Sequence, residues 1–167
     1  INGYLKSGNI SIQTFSDILR FNLLSKYGGF WMDATIRTFA RDDLIENIKK
    51  TGFYSLNVNC KEKEVLWSKI IPDVKYMTFY MGATKNNPVM LFAKKMYDTY
   101  YEKYDFCIDY FMIDYFLLIA EKHHIGNSCL DSSPAREGNP FYLFNCIPDS
   151  FAFRMQKMPS ETKLAFR

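Results

Sequence analysis

Several features that would identify common classes of protein are missing from this sequence. No window approaches the ~20 apolar residues that a membrane-spanning helix needs, and the most apolar stretch, residues 106–120, is interrupted by Asp109 and Asp114. The basic residues form no block of the kind that binds nucleic acid, and the formal net charge is only +3. No Cys-X-X-Cys pair and no zinc-type spacing occur among Cys60, Cys107, Cys129 and Cys146. The sequence therefore predicts neither a transmembrane segment nor a nucleic-acid partner.

The composition that remains is that of one globular domain. The 167 residues suffice for a single hydrophobic core, and 48% hydrophobic and 23% charged residues are ordinary for such a domain. We therefore expect a single domain over residues 1–167, with reduced cysteines and a cytoplasmic location. Because the sequence begins at Ile1 without a Met or a signal-like stretch, we also expect that an N-terminal segment of the domain is missing.

Aromatic residues are more abundant than usual, at 17%, through 15 Phe and 12 Tyr. Core packing is the simplest explanation of this excess. Tyrosine can also line a polar cleft while its ring packs against the core, which would suit a carbohydrate ligand.

The first predicted helix carries two charges that need an explanation. Ser11 or Thr14 can cap a helix that runs to about Tyr27, where Gly28 and Gly29 end it. Apolar residues lie nearly all round this helix, so we expect it to be buried. Asp17 and Arg20 stand three residues apart on it, close enough to contact each other or one shared ligand. They form either a buried structural ion pair or part of a binding site.

The rest of the pattern alternates between strands and helices and predicts an α/β fold, a mixed sheet flanked by helices. From residue 127 the pattern weakens, leaving short apolar pieces at 141–146 and 150–155. The predicted strands cover residues 30–36, 53–58 and 76–83, and the predicted helices cover 44–50, 87–104 and 109–124.

Asp33 lies near the C-terminal end of the first predicted strand. In open α/β sheets ligands bind at that end, and Mg²⁺ or Mn²⁺ is usually held by one or two carboxylates together with substrate phosphates. A turn residue is the commoner role for an isolated Asp at such a position. Asp109 and Asp114 both fall on the last predicted helix, about 140° apart, so we expect only one of them, Asp114, to face a cleft.

The order and spacing of residues 15–36 resemble a known signature. Ser16-Asp17-Ile18-Leu19-Arg20, Leu23-Leu24, Tyr27-Gly28-Gly29 and Trp31-Met32-Asp33 resemble the Asp-X-Asp sugar-transferase superfamily, which has the GT-A fold. The run Gly28-Gly29-Phe30-Trp31-Met32-Asp33-Ala34-Thr35 is most similar to the Gly-Gly-X-Trp-X-Asp-Ala-Thr form of the bacterial capsular polysaccharide synthesis family. The similarity is weaker around residues 109–114 and 162–164.

This resemblance implies a GT-A-like nucleotide-diphospho-sugar transferase domain that lacks its N-terminal strand. It would transfer a hexose-like sugar, with retention of configuration, from a nucleotide-diphosphate donor to a capsular or extracellular polysaccharide. The acceptor would be a saccharide or a lipid-linked saccharide, so the enzyme would act in the cytoplasm or at the inner face of the membrane.

The resemblance also implies roles for individual residues. Asp33 would hold a divalent cation, Mn²⁺ or Mg²⁺, and together with Asp114 would be catalytic. Lys163 would stabilise the leaving group. The donor would be bound by Asp17, Arg20, Gly28, Gly29, Trp31, Thr35 and Lys163, with Asp17 and Arg20 orienting its sugar.

Two departures from the family pattern support an alternative function. Thr35 stands where the superfamily has its second Asp, and Thr162 stands where the family tends to have a His. A neutral hydroxyl is a weaker metal ligand than a carboxylate, so any cation would depend on Asp33 and the diphosphate. The alternative is a degenerate, non-catalytic domain of the same fold that binds carbohydrate or a protein partner.

Overall fold

The computed structural model describes residues 10–34, 36–38, 42–58, 76–126, 135–136 and 161–163. The predicted strand pieces at 141–146 and 150–155 lie outside these residues. Four helices and six strands occur in the described chain, in the order α1 (Ile12–Tyr27), β1 (Gly29–Met32), β2 (Ile36–Thr38), α2 (Asp42–Thr51), β3 (Phe53–Val58), β4 (Tyr76–Ala83), α3 (Pro88–Tyr101), α4 (Met112–Lys122), β5 (Ala135–Arg136) and β6 (Glu161–Lys163).

Helix α1 begins and ends where the sequence predicts. Ser11, rather than Thr14, is its N-cap, and the Ser11 hydroxyl accepts a hydrogen bond of 3.1 Å from the Thr14 N–H. Gly28 ends the helix at a positive φ of 69°, with its N–H bonded to the Leu24 carbonyl. The expectation of burial all round is wrong, because Leu23 and Tyr27 are exposed. Only one side of α1 packs into the core.

The main sheet has four strands in the order β1-β4-β3-β5. Strand β4 pairs antiparallel with both β1 and β3, whereas β3 and β5 are parallel. The sheet is therefore mixed and helices pack against it, which confirms the predicted α/β class. Because β1 and its neighbour β4 are antiparallel, the rule for parallel sheets that led to Asp33 does not apply here.

The two faces of this sheet bury different side chains. On the face we call the cluster face, α1, α3 and α4 bury apolar side chains together with one side of the strands, among them Phe21, Met81 and Tyr97. On the face we call the aromatic face, Tyr54, Met77, Phe79 and Tyr80 form a second buried group, with Phe30, Ile36 and Ile48 of α2 packed against it.

Residue 82 shows how closely the aromatic face is packed. Gly82 pairs with Phe30 on one side and with Tyr54 on the other. A Cβ at this position would collide with the Ile48 side chain and would approach Phe30 Cδ2 to 2.6 Å. The absence of a side chain at Gly82 therefore lets α2 lie directly on the strands.

The last two helices are shorter than predicted. Helix α3 is capped by Asn87, whose Oδ1 accepts the N–H groups of Val89 and Met90, and it ends at Tyr101 instead of Tyr104. Helix α4 begins only at Met112. The prediction that Asp109 lies on α4 is therefore wrong. Asp109 precedes the helix, and its carboxylate accepts the Phe111 N–H at 2.7 Å, a local turn that competes with helical geometry.

A separate two-stranded ribbon follows β1. Strands β2 and β6 pair antiparallel, with Ile36 opposite Lys163 and Thr38 opposite Glu161. The backbone of Lys163 thus lies beside the segment that begins three residues after Asp33.

Candidate functional site

A buried arginine lies at the centre of the candidate site. Arg20 is only 4% exposed, although it carries a positive charge at any physiological pH. Its Nη1 lies 3.4 Å from Asp17 Oδ1, and its Nη2 lies 3.4 Å from Asp33 Oδ1. Two carboxylates from different elements, α1 and the end of β1, therefore compensate one guanidinium.

The Asp33 carboxylate is fixed by a second residue of its own strand. Trp31 donates its indole N–H to Asp33 Oδ1 at 2.9 Å, and the Arg20 guanidinium lies 5.0 Å from the centroid of the Trp31 ring. Trp31 thus contacts both charges, one by a hydrogen bond and the other by a cation–π interaction. Both polar contacts of Asp33 are on Oδ1, and Oδ2 makes no hydrogen bond to a residue that the structure describes.

Asp17 lies on the buried side of α1, where it contacts Tyr97 of α3 in addition to Arg20. Burial raises the pKa of Asp17 to about 6, because desolvation outweighs the opposing effect of Arg20. The Tyr97 hydroxyl forms a hydrogen bond with the Asp17 carboxylate and lowers its pKa slightly. Burial, and after it Asp17, raises the pKa of the Tyr97 hydroxyl, so this group stays protonated.

Asp114 joins the cluster from the first turn of α4. Its pKa is raised to about 7, mainly by burial and then by repulsion from Asp17, while Arg20 acts in the opposite direction. That Asp114 rather than Asp109 faces a cleft stays a prediction. At neutral pH the Asp114 side chain exists in both protonation states, so it can donate a hydrogen bond as well as accept one.

Burial differs among the members of the cluster in a consistent way. The side chain of Arg20 is 4% exposed, that of Asp17 is 18% exposed and that of Asp33 is 31% exposed. Arg20 therefore lies beneath its two carboxylate partners, which form the accessible surface. Arg20 Nε and Nη1 make no hydrogen bond to a described residue, although buried donors in folded proteins are almost always paired.

The other predicted site residues do not all gather here. Gly28 and Gly29 lie at the opposite end of β1 from Asp33, and a Cβ at Gly28 would approach the Lys85 backbone nitrogen to 2.6 Å. Gly28 allows close packing of the turn that follows β4, whereas a Cβ at Gly29 would have nothing within 4 Å. Strand β6 brings the backbone of Lys163 beside Ile36, and Thr35 lies outside the described residues.

No group of three or more His, Cys, Asp or Glu side chains that could hold a metal ion occurs among the described residues. A cation at this site would therefore rely on Asp33 Oδ2 and on oxygen atoms of a ligand, an arrangement that is usual for Mg²⁺ with phosphates. The residues fit a cation held in that way.

Tyr97 is the site residue that sequence reasoning missed. It occupies the buried stripe of α3 with Val89, Met90 and Ala93. A tyrosine in such a stripe has a hydroxyl that needs a buried partner, and this is the signal that could have identified it.

The fold and the site together define a mixed α/β domain with an arginine-centred carboxylate cluster at one end of its sheet. The chain belongs to a family of known role: the model of the capsular polysaccharide synthesis protein family matches residues 1–165. No curated protein and no solved structure matches the chain. Within the part of the chain that the structure describes, no helix is both long and apolar enough to cross a bilayer. The family supports a role in capsule synthesis.

Proposed function

We propose that this protein is a glycosyltransferase with a GT-A-like fold, which moves a sugar from a nucleotide-diphosphate donor to a capsular or extracellular polysaccharide acceptor with retention of configuration. The observation that carries the proposal is the Arg20 cluster, in which a buried guanidinium holds two partly exposed carboxylates. Such a preorganised group of charges can read the hydroxyls of a sugar and meet charge that develops during transfer.

Each residue of the cluster has a role in this proposal. Asp17 accepts hydrogen bonds from donor-sugar hydroxyls, and Tyr97 keeps its carboxylate in place. Arg20 fixes Asp17 and Asp33 relative to each other, and its charge lies beneath the two carboxylates that a ligand would meet. Asp114, half-protonated near neutral pH, accepts or donates a hydrogen bond at the reacting sugar.

A divalent cation belongs to this proposal as a bound cofactor. Asp33 would hold it through Oδ2 together with donor phosphate oxygens, and the cation would neutralise charge on the departing diphosphate. Lys163 would contribute a further positive charge to the leaving group. The catalytic domain would act in the cytoplasm or at the inner face of the membrane, where nucleotide sugars and lipid-linked acceptors meet.

The test replaces Asp33 by Asn, which keeps an oxygen for Trp31 and Arg20 but removes the negative charge. We expect donor hydrolysis and transfer to fall on the order of 10²–10³-fold in Asp33→Asn, because stabilisation of a developing charge is lost. The melting temperature without ligand should change little. Asp98→Asn, which removes the partner of Lys94 on α3, is the matched control and should retain activity.

The readout is turnover of a panel of nucleotide sugars with and without Mn²⁺, combined with thermal stability. Full turnover in Asp33→Asn would contradict the proposal. A donor that raises the melting temperature of the wild-type protein without any turnover would favour the non-catalytic alternative, because a ligand that binds only the folded state stabilises it.

A further inference from the structure

The connection between α3 and α4 exposes an unusual set of apolar side chains. In this connection, which we call the 102–111 loop, four large side chains at alternate positions are 49–68% exposed: Tyr104, Phe106, Ile108 and Tyr110. Three of the four are aromatic. Exposed apolar groups that lie close together mark binding surfaces more often than isolated ones do.

The loop is held in shape by its own contacts and by packing of its rings. The Cys107 thiol donates to the Asp109 carbonyl, and the Asp109 carboxylate accepts the Phe111 N–H. The rings of Tyr104 and Phe106 lie 5.9 Å apart, and both contact Tyr100, with ring centroids at 5.0 and 6.4 Å from it. Tyr104 and Phe106 thus form a preformed pair on Tyr100, and Tyr110 packs against Phe111 at 5.0 Å, so a ligand that binds these rings would meet a small ordering cost.

The loop adjoins the Arg20 cluster at both of its ends. Helix α3, which precedes it, carries Tyr97, the partner of Asp17. Cys107 lies close enough to Tyr97 to affect the pKa of its hydroxyl. Phe111, at the other end, accepts the backbone N–H of Asp114 at 2.9 Å. The two ends of the loop therefore lie next to residues of the candidate site.

The charge of the loop indicates what it can bind. Glu102, Asp105 and Asp109 outnumber the one basic residue, Lys103, so the loop carries an excess of negative charge. Such a surface repels anionic lipid headgroups, nucleic acid and phosphate. A polyhydroxylated ligand without negative charge is compatible with it, since carboxylates and tyrosine hydroxyls bond to hydroxyl groups and aromatic rings pack against the apolar C–H face of a pyranose.

We propose that the 102–111 loop is the acceptor-saccharide subsite, in which Tyr104, Phe106 and Tyr110 stack on sugar units of the chain being extended. The assignment of an acceptor rests on the proposed glycosyltransferase function.

The test compares glycan binding by the wild-type chain and by Y104A/F106A/Y110A on an array of bacterial surface glycans, without any nucleotide sugar. We expect the wild-type protein to bind a glycan and the triple variant to bind it about tenfold more weakly or worse. Ile45→Ala combined with Leu91→Ala removes two equally exposed apolar side chains from α2 and α3 and should leave binding unchanged. Y104F/Y110F keeps the rings and should retain most of the binding, which separates stacking from folding.

Several outcomes would overturn the subsite. The subsite is refuted if the wild-type protein binds no glycan on the array. It is also refuted if the triple variant binds as well as the wild type. Loop-dependent binding to vesicles of phosphatidylcholine and phosphatidylglycerol without glycan binding would instead show a membrane contact. Loop-dependent dimerisation without glycan binding would show a contact between copies.

Donor hydrolysis with water as acceptor separates this inference from the proposed function. The triple variant should hydrolyse the donor as the wild type does. Hydrolysis without glycan binding would refute the subsite alone, whereas loop-dependent glycan binding without turnover of any donor would refute the transferase activity and leave a saccharide-binding surface.

Discussion

The two faces of the main sheet differ in the chemistry of the side chains that they bury. The aromatic face buries Tyr54, Met77, Phe79 and Tyr80 and is packed so closely that residue 82 has no space for a side chain. The cluster face combines an apolar core with Arg20, Asp17 and Asp114. Neighbouring residues of one strand serve both faces, since Trp31 lies beside the charges and Phe30 packs against Tyr80. The closely packed aromatic face thus supports the strands that carry the charged site on the other face.

The largest loss of stability is expected from a cavity on the aromatic face. Tyr80→Ala removes a fully buried ring that packs edge-on against Phe30, with centroids 4.5 Å apart. We expect a loss of about 4 kcal/mol in the free energy of unfolding, measured by urea denaturation, because a large cavity remains. The loss should be the same at acidic and neutral pH, since the pKa changes of Asp17 and Asp114 arise on the other face.

Tyr110→Ala is the matched control, because this ring is 68% exposed and its removal should change the stability by less than about 0.5 kcal/mol. A loss below about 1 kcal/mol in Tyr80→Ala would show that the aromatic face can collapse around the cavity and is not the closely packed support described above.

Arg20→Met tests how much the buried charge on the cluster face contributes to stability. It leaves Asp17 and Asp33 without their cation, and we expect a loss of about 3 kcal/mol at mildly alkaline pH, where both carboxyls are charged. Below pH 6 the loss should shrink, because Asp17 without Arg20 takes up a proton more readily and the buried charge disappears. The measurement is urea denaturation at two pH values.

Lys94→Met is the control for Arg20→Met. It removes the cation of a half-exposed pair on α3 and should lower the stability by about 0.5 kcal/mol or less at either pH. A pH-independent loss in Arg20→Met would mean that the arginine acts by packing rather than by charge.

The pH dependence of stability in the wild-type protein gives a separate test of the cluster face. The pKa values of Asp17 and Asp114 are raised from 3.8 to about 6 and about 7, so between pH 4 and 7 the folded state binds more protons than the unfolded state. Their contribution to stability is complete below pH 4 and is lost as the pH rises to 7. Each carboxyl should lower the unfolding free energy by at most about 1.4 kcal/mol per pH unit.

Asp17→Asn should remove only its own share of this slope, between about pH 4 and 6, and Asp114→Asn only its own share, between about pH 4 and 7. Denaturant melts across that range measure both. If the double variant keeps the full slope of the wild type, the protons are taken up elsewhere and the cluster face does not control the acid stability.

The parts of the fold that the sequence predicts are those with local signals. Ser11, Gly28 and the Asn87-Pro88 pair begin or end helices through contacts within a few residues, so the start and end of α1 and the start of α3 follow from the sequence. Strand β4 was predicted at its observed bounds, because a continuous apolar run is typical of a strand buried on both faces. The mixed α/β class is confirmed on that basis, and the GT-A-like fold stays a prediction.

The parts that depend on distant contacts were harder to predict. Asp33 follows a strand as predicted, but the antiparallel pairing of β1 with β4 is a property of the tertiary structure, so the rule for parallel sheets does not support a ligand site there. The spacing of Asp109 predicts a helical position, but its carboxylate accepts the Phe111 N–H in a turn that precedes the helix. The Asp17–Arg20 contact is visible from spacing in one helix, whereas Tyr97 requires knowledge of how α3 packs on α1.

The turn at residues 84–87 holds the ends of three helices together. It joins several elements at the end of the sheet opposite Asp33, since Asn87 and Thr84 both bond to the Gly52 carbonyl and the Asn86 N–H bonds to the Ser25 carbonyl. The end of α1, the end of α2 and the start of α3 are thereby fastened together away from the candidate site. Substitutions in the 102–111 loop are therefore expected to leave these hydrogen bonds between the helix ends intact.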